Sequence, residues 1–230
     1  MRFRLPARCR PRWPPAPRAA VGGLAAAAAA LAAPAAADAC NASQRLGPVA
    51  NERRGPAPLA VGDSVMLGAV PQLRRAGFEV NARGCRQMSH GLRLLERRRR
   101  AGSLPDVVVV ALGHNWTITI DDIRRALVIL GPERVLGMVT PRGEFASARA
   151  AIGAAGRRWA TRVKVIPWAA RSAGKPWTWD GLHLTRAGAR AFARLLSRAF
   201  DWPLPGAEPQ TGQSQPSEPE PTDEGGAVAP

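Results

Sequence analysis

Five short apolar runs punctuate the middle of the chain: "PLAVG" from Pro58, "FEVNA" from Phe78, "DVVVVALG" from Asp106, "RVLGMVT" from Arg134 and "RVKVIPW" from Arg162. Each has the length of a strand, and most are rich in valine. "DVVVVALG" is apolar at successive positions, so both of its faces must be covered, as in a central parallel strand. Between and after these runs, apolar residues recur at helical spacing over Val65–Ala76, Met88–Arg100, Ile120–Leu130, Phe145–Ala160 and Thr185–Phe200. Strands alternating with helices predict an α/β fold, a three-layer α/β/α sandwich around a five-stranded parallel sheet. Ligands of such folds bind beyond the carboxyl ends of the strands.

The same pattern sets the boundaries. A chain of 230 residues holds one substantial domain plus appendages. Residues 1–37 read as a signal peptide, with Arg2, Arg4, Arg8, Arg10, Arg12 and Arg18 ahead of the run "AAVGGLAAAAAALAAPAAA". That run is dominated by alanine and broken by Gly22, Gly23 and Pro34, unlike the roughly 20 strongly apolar residues of a membrane span. Cleavage is expected after Ala37 or Ala39, leaving a secreted or periplasmic protein. An irregular segment, 38–57, then leads into a domain over 58–202. Residues 203–230 are rich in Pro and Glu, with too little apolar mass to order themselves.

Export changes how the cysteines are read. Cys9 leaves with the signal, so Cys40 and Cys85 remain, and an even pair in an oxidising compartment points to a disulfide. Lipid attachment at Cys40 is the alternative, although "Ala-Asp-Ala-Cys" is a poor lipidation signal.

Charge narrows the choice of partners. The formal net charge is +16. Without the six signal arginines, 27 basic residues face 17 acidic ones, and the tail after Pro205 holds five of those acids and no base. The folded part is therefore strongly basic, and outside the cytoplasm its polyanionic contacts would be cell-wall polymers or anionic lipids rather than nucleic acid. Arginine used simply as a surface solubiliser explains the same count. The run Arg97–Arg100 reads as the solvated last turn of a helix, where cations complement the dipole.

The candidate chemistry begins at Ser64, which follows the first strand in "AVGDSVMLGA". A serine hydroxyl is a weak nucleophile and needs a base. His183 stands in "WTWDGLHLT" just before the last helix, with Asp180 three residues upstream to orient its ring. A helix cap at Ser64 and plain turn residues at Asp180 and Gly181 are the bland readings. Gly84, after the second strand, and Asn115, after the third, supply candidate oxyanion donors. No His, Cys and Asp cluster stands at ligand spacing, so neither metal nor cofactor is expected. His90 reads as an exposed or capping residue near a helix start.

Gly62-Asp63-Ser64, Gly84, Gly113-His114-Asn115 and Asp180-Gly181-Leu182-His183, in that order, resemble the blocks of the SGNH (GDSL-type) hydrolase family. The likeness spans about Pro58 to Phe200, and "GDSVMLGA" and "DGLHLT" are most similar to the extracytoplasmic domains of peptidoglycan O-acetyltransferases. It implies a flavodoxin-like sheet, with Ser64 as nucleophile, His183 as base and Asp180 as its orienter. It also implies an oxyanion hole from the Ser64 N–H, the Gly84 N–H and the Asn115 side chain. Trp116 and His114 depart from common family residues and would shape the acyl or acceptor pocket, and Trp179 could stack on a sugar.

The expected activity is a secreted serine esterase or O-acyltransferase acting on small acyl esters of a cell-wall carbohydrate. The triad does not decide between water and a sugar hydroxyl as acceptor. Transfer would draw on a separate membrane acyl-donor protein, and a monomer is expected. A lipid esterase or lysophospholipase, and a non-catalytic glycan-binding domain, are the competing readings.

Overall fold

The computed structural model describes residues 40–49, 56–202 and 204–205. The expected signal peptide and nearly all of the acidic tail lie outside these residues.

Six strands form one sheet in the order β1-β3-β2-β4-β5-β6. They are β1 Ser43–Leu46, β2 Leu59–Gly62, β3 Glu79–Arg83, β4 Val107–Ala111, β5 Val135–Val139 and β6 Val163–Ile166. The last five are parallel, as the alternating pattern predicts, and without β1 their order is the flavodoxin-like 2-1-3-4-5. β2 and β4, at the centre, are buried along their whole length.

The helices are α1 Ser64–Leu67, α2 Val70–Arg75, α3 Met88–Arg100, α4 Ile120–Leu130, α5 Ala146–Arg158, α6 Trp168–Ser172 and α7 Arg186–Leu196, the last continued by a 3-10 turn over Ser197–Asp201. Successive strand residues point to opposite faces. Ala60, Val80, Val109 and Ile166 pack with residues of α1, α2, α6 and α7. Val61, Val108, Val110 and Met138 pack with α3, α4 and α5. The expected three layers are thus present.

Three local departures have clear causes. The helix expected over Val65–Ala76 is two helices, because Pro71 cannot donate an intrahelical hydrogen bond and sits in the first turn of α2. A short strand, β1, forms inside the segment expected to be irregular and pairs antiparallel with β3. All four of its residues are exposed, so backbone pairing and the adjacent bridge hold it rather than side-chain burial. The arginine run does end α3, but Arg98 is buried and donates to Glu79 Oε2 at 2.9 Å rather than lying in solvent.

The bridge is Cys40–Cys85, with Cα atoms 4.9 Å apart, and it ties the start of the described chain to the loop after β3. It closes 45 residues of sequence, for which chain entropy gives a ceiling of about 4 kcal/mol. Replacing both cysteines by serine should lower the unfolding free energy in urea by a few kcal/mol, up to that ceiling. An unchanged urea midpoint would contradict a stabilising role for the bridge.

Candidate active site

The chain reverses direction across the sheet between β2 and β4, and the turns leaving these two strands carry the site. β2 ends at Gly62, where any Cβ would stand 2.4 Å from Met66 Cβ, so glycine lets α1 start directly against the strand. Asp63 is the N-cap of α1 and is fully buried. Its Oδ1 accepts from the Val65 backbone N–H at 3.0 Å. Ser64 therefore opens α1 at the carboxyl edge of the sheet, half-buried rather than enclosed.

The facing wall is the loop 177–185. An isolated bridge joins Thr178 and Leu184, Trp179 N–H donates to the His183 carbonyl at 3.0 Å, and Thr185 N–H donates to the Trp177 carbonyl at 2.9 Å. Gly181 turns the tip with φ +86°. Thr185 then caps α7 by accepting from the Gly188 N–H at 3.2 Å. A Cβ on Gly188 would stand 1.9 Å from the Trp177 carbonyl oxygen, so only glycine lets α7 lie this close to the loop.

Within the loop, Asp180 has two tasks. Its Oδ1 accepts from the backbone N–H groups of Leu182 and His183 at 2.9 and 2.6 Å. Its Oδ2 lies 2.6 Å from His183 Nδ1, and His183 Nε2 lies 3.0 Å from Ser64 Oγ. With Nδ1 donating to the carboxylate, Nε2 is left to accept the serine hydroxyl hydrogen. Partial burial works against the Asp180 charge. The hydrogen bonds from the His183 ring and from the His183 and Leu182 backbone, with the His183 charge, outweigh it and hold the carboxyl at about 2.

The oxyanion candidates fare unequally. Asn115 Nδ2 donates to Asp63 Oδ2 at 3.3 Å and to the Arg86 carbonyl at 3.5 Å, both long, so its amide sits beside the residue preceding Ser64. Gly84 does not offer the free N–H expected of it. That N–H donates to the Ala42 carbonyl at 2.9 Å, because the pairing of β1 with β3 runs on into the turn. The following Cys85 takes a left-handed φ of 53°.

The residues expected to touch substrate also divide. Trp179 is 71% exposed and stacks on the His183 ring at 5.5 Å, and Trp116 is 68% exposed beside Asn115. The His114 side chain instead turns inward. Its Nδ1 lies 3.2 Å from Asp63 Oδ2 and its ring meets Phe145 edge-on, so it supports the site from behind. Asp63, to which the sequence pattern assigns no role, collects Val65, His114 and Asn115. Its place between Gly62 and Ser64 was the available signal. Among the described residues, no group of His, Cys, Asp and Glu could hold a metal, and no helix is long and apolar enough to cross a membrane.

No family model matches the chain. It is 31% identical over 154 residues to peptidoglycan O-acetyltransferase OatA of Listeria monocytogenes, a match spanning 62% of this chain but only 24% of OatA. Among solved structures, the C-terminal catalytic domain of Streptococcus pneumoniae OatA, determined with a methylsulfonyl adduct, has a similar fold. The TM-score is 0.57 at 24% identity, covering 65% of this chain and 97% of that one. A candidate SGNH hydrolase from Slackia heliotrinireducens is similar at TM-score 0.50 and 18% identity, over 64% of this chain and all of the other. The chain thus spans about a quarter of the length of OatA, and it shares the fold of the OatA catalytic domain and of an SGNH hydrolase structure, with the four blocks in order on this sheet.

Proposed function

We propose that the protein is an exported serine esterase or O-acyltransferase that moves small acyl groups, acetyl first among them, on or off a cell-wall carbohydrate. One observation carries this reading: Ser64 Oγ, His183 Nε2, His183 Nδ1 and Asp180 Oδ2 lie in a continuous hydrogen-bonded line of 3.0 and 2.6 Å contacts. Ser64 Oγ attacks the acyl carbonyl while its proton passes to His183 Nε2. The tetrahedral oxyanion is received by the Ser64 N–H and an Asn115 amide hydrogen that swings from its long contacts. His183 then gives the proton to the departing alcohol oxygen, leaving the acyl group on Ser64. In the second half, water or a sugar hydroxyl loses its proton to His183, attacks the same carbonyl and regenerates the serine.

The carbohydrate assignment rests on the two exposed tryptophans flanking the line and on the likeness to a peptidoglycan O-acetyltransferase. Export rests on the composition of residues 1–37.

Ser64→Ala and His183→Ala should each abolish nearly all hydrolysis of para-nitrophenyl acetate, and the double variant should be hardly slower than either. Asn115→Ala should lower turnover by roughly 10²–10³-fold, the usual loss for one oxyanion donor. Circular dichroism should be unchanged in all of them, since these side chains lie at the rim. A Ser64→Ala protein that folds and keeps most of the rate would overturn the mechanism. An ester panel of increasing chain length, with and without oligosaccharide acceptors, would locate the substrate.

Asp180 makes a separate prediction. Its carboxyl is held below the ordinary value of 3.8, at about 2. The stability it contributes is therefore complete above about pH 4 and lost as pH falls through the folded value. Asp180→Asn should remove this part of the acid sensitivity between pH 4 and 2, measured as thermal midpoint against pH. Parallel curves for the two proteins would contradict it.

A further inference from the structure

A groove of about 490 Å³ runs beside the site, between the β1–β3 edge and α3. Arg45, Arg83, Arg86, Arg93, Arg97 and His90 line it, and among the described residues no carboxylate does. Several arginines outside it are engaged: Arg98 reaches Glu79, Arg149 the Gly143 carbonyl and Arg99 the Val128 carbonyl. In the groove five arginines line one surface, and of these Arg86 alone makes side-chain hydrogen bonds among the described residues, to neutral acceptors.

Arg86 is the built part of this surface. It is buried, and its two terminal nitrogens donate to the Asn81 carbonyl and to Asn81 Oδ1 at 2.5 and 2.6 Å. Both acceptors are neutral, so they fix the fork without cancelling its charge. Burial first, then Arg83 and Arg97, bring its proton affinity down to about 10, and only Asp63 pulls the other way. His90 is lowered as well, by desolvation first and then by Arg93, Arg83 and Arg86. A field of one sign with no counter-charge in its lining is relieved by an anion, and forked guanidinium donors match the geometry of phosphoryl oxygens. The groove also adjoins the reaction site, because the Arg86 carbonyl is one of the acceptors of Asn115 Nδ2.

The geometry points to this groove as a binding site for a soluble polyanion of linked phosphoryl groups, a phosphodiester chain laid alongside the Ser64 rim. Free oligophosphate and lipid headgroups share the same oxyanion chemistry, and the arms of the test separate them.

The full exported chain is titrated with inorganic tripolyphosphate, poly(glycerol phosphate), polyglutamate of equal charge, and vesicles containing phosphatidylglycerol. Poly(glycerol phosphate) should bind more tightly than polyglutamate and than the vesicles, with an affinity that falls as salt rises, and tripolyphosphate should compete with it. The Arg93→Gln/Arg97→Gln double variant should weaken binding roughly tenfold or more, the loss of charge-assisted hydrogen bonds, whereas Arg157→Gln/Arg194→Gln, equal in net charge but distant, should change it less than about twofold. Tripolyphosphate should also move the NMR titration of the His90 ring upward. Both double variants should hydrolyse para-nitrophenyl acetate at the parent rate, and the binding arms need no turnover to be read. Equal weakening in the two double variants would reduce the groove to diffuse surface charge. Binding that is no tighter to phosphoryl polymer than to polyglutamate, tight binding to vesicles alone, an unmoved His90 or no binding at all would each overturn the assignment.

Discussion

A carboxyl group with no exposed surface must be met by donors, and at the end of β2 Asp63 is met by three: the Val65 N–H, the His114 ring and the Asn115 amide. These come from the start of α1 and from the turn after β4, so one buried group fixes the two strand ends between which the sheet changes direction. The Ser64 position follows from the first bond and the Asn115 position from the third. His114, turned inward, is the price of holding that corner closed.

Against this corner stands a loop that holds itself. Asp180 folds the turn by accepting two backbone N–H groups and aims the His183 ring with its other oxygen. Gly188 lets α7 seat that turn at a distance no side chain would allow. Buried Trp168, stacked on Trp177 at 5.7 Å, anchors the loop's first residue in the core. The hydrogen-bonded line from Ser64 to Asp180 is thus assembled from two parts, one held by a buried polar cluster and one by its own hydrogen bonds.

Much of this was legible along the chain. The five parallel strands announce themselves through continuous apolar runs, and the helices between them through their spacing. The blocks around Ser64, Asn115 and His183 fall at strand ends or before the last helix. β1 was not legible, because "SQRL" buries no side chain and its pairing is purely a matter of backbone groups meeting an open edge. The same pairing engages the Gly84 N–H, which a motif reading alone treats as free. Arg98 looked like its three neighbours in the run, and only the fold brings Glu79 to it. The direction of the His114 side chain likewise depends on Asp63 being buried, a property of packing and not of spacing.

On the proposed mechanism Ser64 carries the acyl group in mid-reaction. Rapid acid quench of the protein mixed with a fast-reacting acetyl ester, followed by digestion and mass spectrometry, tests it most directly. One acetyl group is expected on the peptide bearing Ser64, appearing before the steady state and decaying when the ester is exhausted. Hydrolysis proceeding at full rate with no acetyl on that peptide, or with the acetyl on another residue, would contradict it.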